Sequence, residues 1–500
     1  MTAEKLLKIL EETGFHFPDG ATARSSIKAW EAVWNCSERF FLYPYASRLT
    51  NYFRQGTKEE STLPNNWVSE HSILLLNKII KLLINRLDRE KYDANVLVVG
   101  ECLSIPDIKL MTRLLKSLVS ARKKVIYLVQ RETNEFFLVS NFVKMNQLEN
   151  QVFLLDPWQI NDFKMRSLIY GLGYILAGRA WKLLNSVLPS DISIPQNDTE
   201  NIFREVATAQ IAWSFLIHKL KFDSIIVRNH FRPLSASIAT EYISCSQPVV
   251  TLQHGVISFP TGGFTPVLAN KIVCYGEQSC NLLQQLDEYF SKTTGITKFC
   301  KEFIPGGSLI DEISLLPSQQ QLSTLLVIDQ SNPDSAKYYG IEFELDALLQ
   351  TVRNFLEQSN VRKVLIRPHR TNKTLEGWLD LIKEFPHRIE ISHQLVNLEL
   401  DIKRSSIAIG LFSGALTTCA ACGLPTFFLW EPGWYYTPDL SCFKDCFVNR
   451  EQAVNTLNQV ASSQEKYTEM RKLSIHSASN YHHNLKLCNF EVTLIDSLIN

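Results

Sequence analysis

The sequence predicts an α/β protein that contains two consecutive Rossmann-like halves, each built on a parallel β-sheet. Short apolar runs alternate with stretches of helical length, which is typical of parallel strands that are buried on both faces. Most of these runs end at a glycine or a polar residue, where a parallel strand turns toward the next helix. The alternation stops at the polar stretch Leu316–Ser323 and then begins again, which indicates a linker between two domains.

The first half is placed at residues 94–315, after a helical extension at residues 1–93. In the extension, Ser72–Leu87 is predicted to be an apolar helix that packs against the neighbouring domain. The strands predicted for the first half are Asn95–Val99, Lys124–Val129, Val152–Leu155, Ser224–Val227, Val249–Leu252, Lys271–Cys274 and Phe303–Ile304. Predicted helices cover Pro106–Ser120, Leu234–Ser244 and Glu277–Tyr289 and fill the interval Gln159–Lys219.

The second half is placed at residues 324–500 and repeats the same alternation. Its predicted strands are Thr324–Ile328, Lys363–Ile366, Arg388–Ile391, Ile407–Ile409 and Thr426–Leu429. Predicted helices lie between these strands, and a helical region begins near Glu451. Two such halves imply two parallel sheets whose ligands bind beyond the carboxyl ends of the strands.

The composition is that of a globular protein and argues against nucleic acid as a partner. The chain has 500 residues, of which 45% are hydrophobic and 20% are charged. Lysine plus arginine and aspartate plus glutamate are both 51, so the formal net charge is zero. A nucleic-acid-binding protein usually carries a basic excess or a basic stripe, and this sequence has neither.

The apolar stretches argue against a membrane-spanning segment, and the scattered cysteines indicate a reducing compartment. Ser167–Gly178 is the most apolar stretch and is too short to span a membrane, so we interpret it as a buried helix, with membrane-surface contact as the alternative. The 11 cysteines are scattered. The pairs Cys419/Cys422 and Cys442/Cys446 faintly resemble zinc-ligand spacing, but we interpret them as small packed side chains. We expect a cytoplasmic protein, with peripheral contact at the inner membrane face as a further expectation.

Three first-half strand ends carry residues suited to acid–base chemistry. Gln253, His254 and Gly255 follow one strand, and the imidazole of His254 can accept a proton near neutral pH. Glu101 and His230 follow two other strands and are predicted to face the same cleft as catalytic candidates. For His254 a structural role in a turn remains the alternative.

The strand ends of the second half suit the binding of phosphate. Arg367, His369 and Arg370 follow one strand and can contact phosphate oxygens, although surface ion pairs remain an alternative for the arginines. Ser413 and Gly414 form a turn before a helix, whose free N–H groups are suited to bind an anion, although a close-packed turn between strand and helix remains the alternative. The remaining candidates for contacts with the donor are Thr417 on that helix and Glu431 after the next strand.

Five motifs occur in an order that resembles a known family. They are TLQHG, KIVCYGE, IPGGSLID, LIRPH and GLFSGALTTCAACGLPTFFL. Together they resemble the bacterial surface- and capsule-polysaccharide glycosyltransferases of the GT-B class, relatives of the transferases that use CMP-linked acidic sugars or CDP-glycerol. The resemblance implies that His254 is the base, that Arg367, His369, Ser413 and Gly414 hold the donor phosphate, and that Gly276, Gly306 and Asp311 belong to the hinge region.

The sequence departs from the family pattern in two places. Arg370 follows His369 where proline is frequent in the family. Thr417, Thr418 and Cys419 occupy the stretch where many members carry a glutamate that holds the ribose. This second departure leaves the donor nucleotide open and leaves room for an inactive member.

The resemblance implies transfer of a sugar from a nucleotide-sugar, of the CMP or UDP type, to a glycan or a lipid-linked acceptor. It also implies that neither a metal nor another cofactor is required. A nucleotide-sugar epimerase of the same fold is the first alternative, with Glu101, Asp329 and Glu431 as its acid–base candidates. A polyol-phosphate transferase and a non-catalytic module of a polysaccharide assembly complex are the others.

Overall fold

The computed structural model describes most of both halves. The described residues are 20–49, 54–55, 78, 92–102, 105–158, 163–194, 196–230, 232–244, 248–253, 267–294, 300–307, 315–316, 323–329, 342–368, 375–392, 398–411, 413–431 and 438–482. The predicted helix Ser72–Leu87 lies outside these residues except for Lys78.

The first half is built on a seven-stranded parallel sheet with the strand order β11-β10-β9-β8-β3-β4-β5. Its strands are β3 (Val96–Val99), β4 (Val125–Leu128), β5 (Val152–Leu155), β8 (Ser224–Val227), β9 (Val249–Leu252), β10 (Lys271–Cys274) and β11 (Glu302–Pro305). The chain runs outward from β3 in one direction and from β8 in the other. The sheet therefore reverses between β3 and β8, which is the switch point where Rossmann-like folds bind ligands.

Helices cover both faces of this sheet. They are α3 (Ile105–Ser120), α4 (Asn134–Met145), α5 (Phe163–Val187), α6 (Gln196–Leu216), α7 (Pro233–Ser244) and α8 (Glu277–Thr294). Alternate residues of β3 belong to two different apolar clusters, Leu97 and Val99 to one and Val96 and Val98 to the other. Because successive strand side chains point to opposite faces, this sheet has a core on each side.

The amino-terminal helices share the core of the first half. They are α1 (Gly20–Asn35) and α2 (Arg39–Leu49). Trp30 and Tyr43 are buried in the same cluster as strand residues of the first sheet, and their ring centroids are 5.5 Å apart. The short strand β1 (Arg54–Gln55) pairs antiparallel with β6 (Ile192–Ser193), and β2 (Tyr92–Asp93) pairs with β7 (Leu220–Lys221). The described part of the predicted extension is thus packed into the first half.

The second half is built on a six-stranded parallel sheet with the strand order β14-β13-β12-β15-β16-β17. Its strands are β12 (Thr324–Asp329), β13 (Lys363–Pro368), β14 (Ile389–Ile391), β15 (Ile407–Gly410), β16 (Thr426–Leu429) and β17 (Phe447–Val448). Its helices are α9 (Glu342–Glu357), α10 (Glu376–Glu384), α11 (Leu398–Lys403), α12 (Gly414–Ala421), α13 (Arg450–Ser462) and α14 (Gln464–Tyr481). The switch point of this sheet lies between β12 and β15.

These two sheets confirm the predicted fold class, two Rossmann-like parallel-sheet domains in the GT-B plan. Strands Val152–Leu155, Ser224–Val227 and Val249–Leu252 have the predicted bounds. The sequence interpretation missed α4 and β17, and it treated the region after Glu451 as one helical stretch, whereas Ser463 separates α13 from α14.

The apolar stretch Ser167–Gly178 lies in α5, where Ile169, Leu172 and Leu176 are buried and confirm the predicted core packing. Tyr170 and Tyr174 on the other side of the helix are exposed. In the part of the chain that the structure describes, no helix has the length and apolar character needed to cross a membrane.

Replacing Trp30 with alanine is expected to lower the free energy of unfolding by about 3–5 kcal/mol, because a large side chain is removed from a packed core. Lys28→Ala on the same helix removes only a half-exposed ion pair with Asp191 and should cost below about 1 kcal/mol. Urea unfolding followed by far-ultraviolet circular dichroism compares the two variants. A small loss for Trp30→Ala would show that α1 is dispensable for the stability of the first half.

Candidate functional site

Arg228 and Asp107 form a buried ion pair at the switch point of the first sheet. Arg228 directly follows β8, and its Nη2 lies 2.6 Å from Oδ1 of Asp107 in the first turn of α3. Its Nη1 donates to the backbone carbonyl of Gln253, at 3.2 Å. Arg228 thereby joins the carboxyl ends of β8 and β9 to the beginning of α3.

Glu101 is bound to the N-terminus of α7. Its carboxylate accepts the backbone N–H groups of Leu234, at 3.3 Å, and of Ser235, at 2.7 Å. Burial raises the pKa of Glu101, while hydrogen bonds from Ser235 oppose the increase. Its φ of 45° lies in the left-handed region, which is uncommon for a residue with a side chain. The side chain of this catalytic candidate therefore fills an anion-binding position of the fold.

Glu135 fills a second such position, beside the end of β3. It accepts the hydroxyl of Tyr127 at 2.5 Å and the backbone N–H of Cys102 at 2.9 Å. A Cβ atom at Gly100 would lie 1.8 Å from Oε1 of Glu135, so any other residue there would displace this carboxylate. Burial raises the pKa of Glu135, with the Tyr127 hydrogen bond opposing the increase. A carboxylate of the chain thus occupies the loop in which a Rossmann-like fold can receive phosphate.

His230 is buried at the same edge as Glu101 and Arg228. Its Nδ1 lies 3.3 Å from Oγ1 of Thr251 on the neighbouring strand. The structure brings these residues to the edge at which Gln253 lies. His254 and Gly255 fall outside the described residues, so the role predicted for His254 stays a prediction.

Tyr275, directly after β10, links this edge to the second half. Its backbone N–H donates to Oε1 of Gln253 at 2.7 Å. Its ring centroid lies 6.0 Å from that of Tyr481 and 5.8 Å from that of His482, both at the end of α14. The side chains of Gln278 and Ser441 are hydrogen-bonded across the same interface. The carboxyl end of β10 therefore packs directly against the second half.

The predicted hinge glycines lie close to this contact. Gly276 is buried between Tyr275 and α8. The N–H groups of Gly306 and Gly307 both donate to the carbonyl of Cys274, and Gly307 has a φ of 91° that favours glycine. Asp311 lies outside the described residues.

The turn before α12 lies at the switch point of the second sheet. Ser413 caps the helix by accepting the N–H of Ala415 at 3.1 Å, and the first turn of α12 contains no acidic residue. Among the residues that the structure describes, none has an atom within 4 Å of a Cβ placed at Gly414, whereas a Cβ at Gly410 would lie 2.5 Å from the carbonyl of Ile328. Gly410 thus permits close strand packing, and no described residue crowds Gly414 at the helix N-terminus.

Arg367 lies at the end of β13, where Asp401 holds its guanidinium group. Its Nη1 is 2.5 Å from Oδ2 of Asp401, and Ser392 donates to the same oxygen at 2.7 Å. The other residues predicted for this strand end, His369 and Arg370, fall outside the described part of the chain.

Three further candidates already have partners within the second half. The hydroxyl of Thr417 donates to the carbonyl of Gly414 at 2.8 Å. Glu431 accepts the N–H of Arg450 at the N-terminus of α13, at 2.6 Å. Asp329 is buried and accepts the indole N–H of Trp378 at 2.8 Å. These contacts stabilise the fold around the strand ends.

The cysteine pairs pack as predicted from the sequence. Cys419, Cys422 and Cys446 are buried in the core between the second sheet and α12 and α14. Burial raises the pKa of Cys422 and Cys446 to about 11, so these thiols are protonated at neutral pH. Among the residues that the structure describes, no group of three or more His, Cys, Asp or Glu side chains is placed to hold a metal ion.

Sequence reasoning missed five residues of this region: Asp107, Tyr127, Glu135, Asp401 and His482. All except Tyr127 lie on helices or at a helix end, whereas most residues predicted from the sequence directly follow strands. An acid in the first turn of a helix, as at Asp107, Glu135 and Asp401, is a signal that could have identified three of them.

Several solved structures have a fold that is similar to that of this chain. A UDP-GlcNAc 2-epimerase from Neisseria meningitidis bound to UDP-GlcNAc is 12% identical, with a TM-score of 0.47 over 82% of this chain and 100% of that chain. A variant of Staphylococcus aureus TarM in complex with UDP is 8% identical, with a TM-score of 0.48 over 81% and 100%. Acinetobacter baumannii MurG is 11% identical, with a TM-score of 0.42 over 79% and 98%. No protein-family model and no curated protein matches the chain.

Protonation of His482 is expected to couple the interface to pH. Burial lowers the pKa of His482 from 6.5 to about 3, with the Thr417 backbone opposing the decrease. Below pH 6.5 the unfolded chain takes up a proton that the folded chain refuses, so stability falls by roughly 1.4 kcal/mol per pH unit until about pH 3.

Urea unfolding between pH 7 and pH 4 tests this expectation. His482→Gln should remove this part of the pH dependence, whereas His476→Gln on the exposed side of α14 should retain it. Equal slopes for the wild-type chain and His482→Gln would contradict the assignment.

Proposed function

We propose that this chain transfers a sugar from a nucleotide-sugar donor to a glycan or lipid-linked acceptor. The observation that carries the proposal is a difference between the two switch points. In the first half the chain's own carboxylates occupy the anion-binding positions. In the second half the N-terminus of α12 has a serine cap, no acid in its first turn, and no atom of the described residues within 4 Å of a Cβ placed at Gly414.

The N-terminus of α12 suits the phosphate groups of the donor. The first N–H groups of a helix have no partner within the helix, and the helix dipole favours a negative charge at this end. Ser413 accepts the N–H of Ala415 and retains a hydroxyl proton that can be donated to a phosphate oxygen. Because no described residue crowds Gly414, an anion can approach the backbone there.

Arg367 is proposed to stabilise the charge that develops on the leaving phosphate. Leu365 and Arg367 point to the same face of β13, and Leu365 packs in the cluster that contains Leu416 and Cys419 of α12. A fixed guanidinium and a helix N-terminus supply positive potential where charge develops. Because these groups provide the compensation, the proposal requires no metal cofactor.

The acceptor is proposed to bind at the carboxyl edge of the first sheet. Tyr275 brings this edge to the end of α14 and thereby close to α12. His254, next to Gln253 in the chain, is proposed as the base that takes the proton of the acceptor hydroxyl. The proton would leave the hydroxyl oxygen as that oxygen bonds to the sugar, and the sugar–phosphate bond would break.

The same contacts favour transfer over epimerisation. An epimerase needs carboxylates that are able to exchange protons with the sugar. Glu101 binds the N-terminus of α7, Asp329 accepts a hydrogen bond from Trp378, and Glu431 accepts one from the α13 backbone. Each of these three acids therefore already serves the fold.

Gly414→Asp is expected to weaken nucleotide binding by about 100-fold or more, because like charges 4 Å apart repel by roughly 4 kcal/mol at an effective dielectric of 20. No described residue crowds the new side chain, and an acid at a helix N-terminus suits the dipole, so the fold should be retained. Gly414→Asn adds a side chain of similar size without the charge, so it separates the effect of bulk on nucleotide affinity from the effect of charge. Gly171→Asp is the matched control, because a Cβ there would likewise meet no atom of the described residues within 4 Å.

Thermal-shift and calorimetric titrations with CMP, CDP, UDP, GDP and their sugar conjugates measure this effect. A ligand at about 100 times its dissociation constant adds roughly 2.7 kcal/mol of stability. Unchanged affinity in Gly414→Asp would place the phosphate elsewhere. A folded wild-type chain that binds none of these compounds would favour the non-catalytic assembly module instead.

His254→Ala is expected to lower turnover by about 10²–10⁴-fold, the usual contribution of a general base. Donor affinity should remain within a few-fold, because the base acts on the acceptor. The measurement is release of nucleotide from the donor that the titrations identify, with and without acceptor. Full turnover in the variant would exclude His254 as the base.

A further inference from the structure

A buried carboxylate holds the arginine that is proposed to meet the donor phosphate. Asp401 lies on α11 and is fully buried. Its Oδ2 accepts both Nη1 of Arg367, at 2.5 Å, and the hydroxyl of Ser392, at 2.7 Å. The hydroxyl of Ser405 donates to the backbone carbonyl of Asp401, which ties the end of α11 to the same residue. Asp401 is therefore held by contacts from β13, from the end of β14 and from its own helix.

The Arg367–Asp401 pair lies beside α12. Ile402 follows Asp401 on α11, and Leu365 lies two residues before Arg367 on β13; both pack in one cluster with Cys419 of α12. Burial raises the pKa of Cys419; among nearby charges Arg367 lowers it and Asp401 raises it. Both charges therefore lie near Cys419 on α12, the helix whose N-terminus is proposed to bind phosphate.

An arginine side chain has many rotamers, and ordering it upon binding reduces affinity. The guanidinium group is planar, so fixing one of its nitrogens and the aliphatic stem sets the direction of the remaining N–H groups. The Arg367 side chain is 20% exposed, whereas that of Asp401 is 0% exposed. The carboxylate thus anchors the guanidinium from the buried side, and part of the Arg367 side chain remains exposed.

We infer that Asp401 is a positioning residue for the donor site. Its carboxylate, oriented by Ser392, fixes the guanidinium of Arg367 before the nucleotide arrives. This inference rests on the proposed function and adds to it a residue that does not itself touch the donor. A purely structural role would attach α11 to β13 and influence stability without acting through Arg367.

A double-mutant cycle distinguishes these two roles. Asp401→Ala and Arg367→Lys are made singly and together, and the dissociation constant is measured by calorimetry with the nucleotide among CMP, CDP, UDP and GDP that binds the wild-type chain. Arg367→Lys keeps the charge but loses the planar fork that Asp401 orients. Asp401→Ala is expected to weaken binding by about tenfold in the wild-type background and by less than about twofold beside Arg367→Lys.

Ser392→Ala is a milder variant for the case in which Asp401→Ala does not fold. It removes one hydrogen bond to Asp401 and should weaken binding by about threefold, again only when Arg367 is present. Glu390→Ala is the control. Glu390 lies on β14 and forms an exposed ion pair with Arg404, so its removal should leave nucleotide affinity unchanged. Melting temperatures of all variants separate the loss of stability from the loss of binding.

The outcomes separate this inference from the proposed function. Equal factors in both backgrounds, or wild-type affinity in both Asp401→Ala and Ser392→Ala, would reduce Asp401 to a structural role while the proposed function stands. A folded wild-type chain that binds no nucleotide would overturn the proposed function, and with it any role of Asp401 at a phosphate site.

Discussion

Backbone N–H groups at the beginning of a helix need acceptors, and the two halves of this protein meet that need differently. In the first half Glu101 accepts the N–H groups of α7, and Glu135 accepts an N–H in the loop before α3. In the second half Ser413 accepts a single N–H of α12 through its hydroxyl. A carboxylate excludes an external phosphate from such a position, whereas a neutral hydroxyl admits one. The two sheets therefore have similar topology but different acceptors at these helix N-termini.

The two switch points are connected through a continuous set of contacts. Asp107 binds Arg228, Arg228 binds the carbonyl of Gln253, and the side chain of Gln253 accepts the N–H of Tyr275. The ring of Tyr275 packs against Tyr481 and His482 of the second half. Each contact joins the end of a strand to a neighbouring element, so the position of the first sheet's edge is defined relative to α12. Gly276 and Gly306, the glycines predicted for the hinge region, lie next to this interface.

Prediction of secondary structure succeeded where the sequence signal is local. The inner strands are short apolar runs buried on both faces, and their bounds follow from composition. Helix α4 was missed because Phe137 and Leu138 are exposed next to the partly buried Phe136, which obscures a helical period. The two-residue strands β1 and β6 carry no periodic signal, since they exist only through pairing between Arg54 and Ser193.

The sequence by itself determined the alternation of strands and helices, the two-domain organisation and the position of polar residues at the strand ends. Tertiary structure decided which partners the described residues among them meet. Glu101, Asp329 and Glu431 look alike in the sequence, because each is an acid at the end of a strand. In the structure, each accepts a hydrogen bond from a different element. Asp401 has no strand-end signal, yet packing brings it to Arg367 across 34 positions of the chain. Periodicity and turn chemistry depend on neighbouring residues, whereas the pairing of a buried charge depends on how distant elements pack.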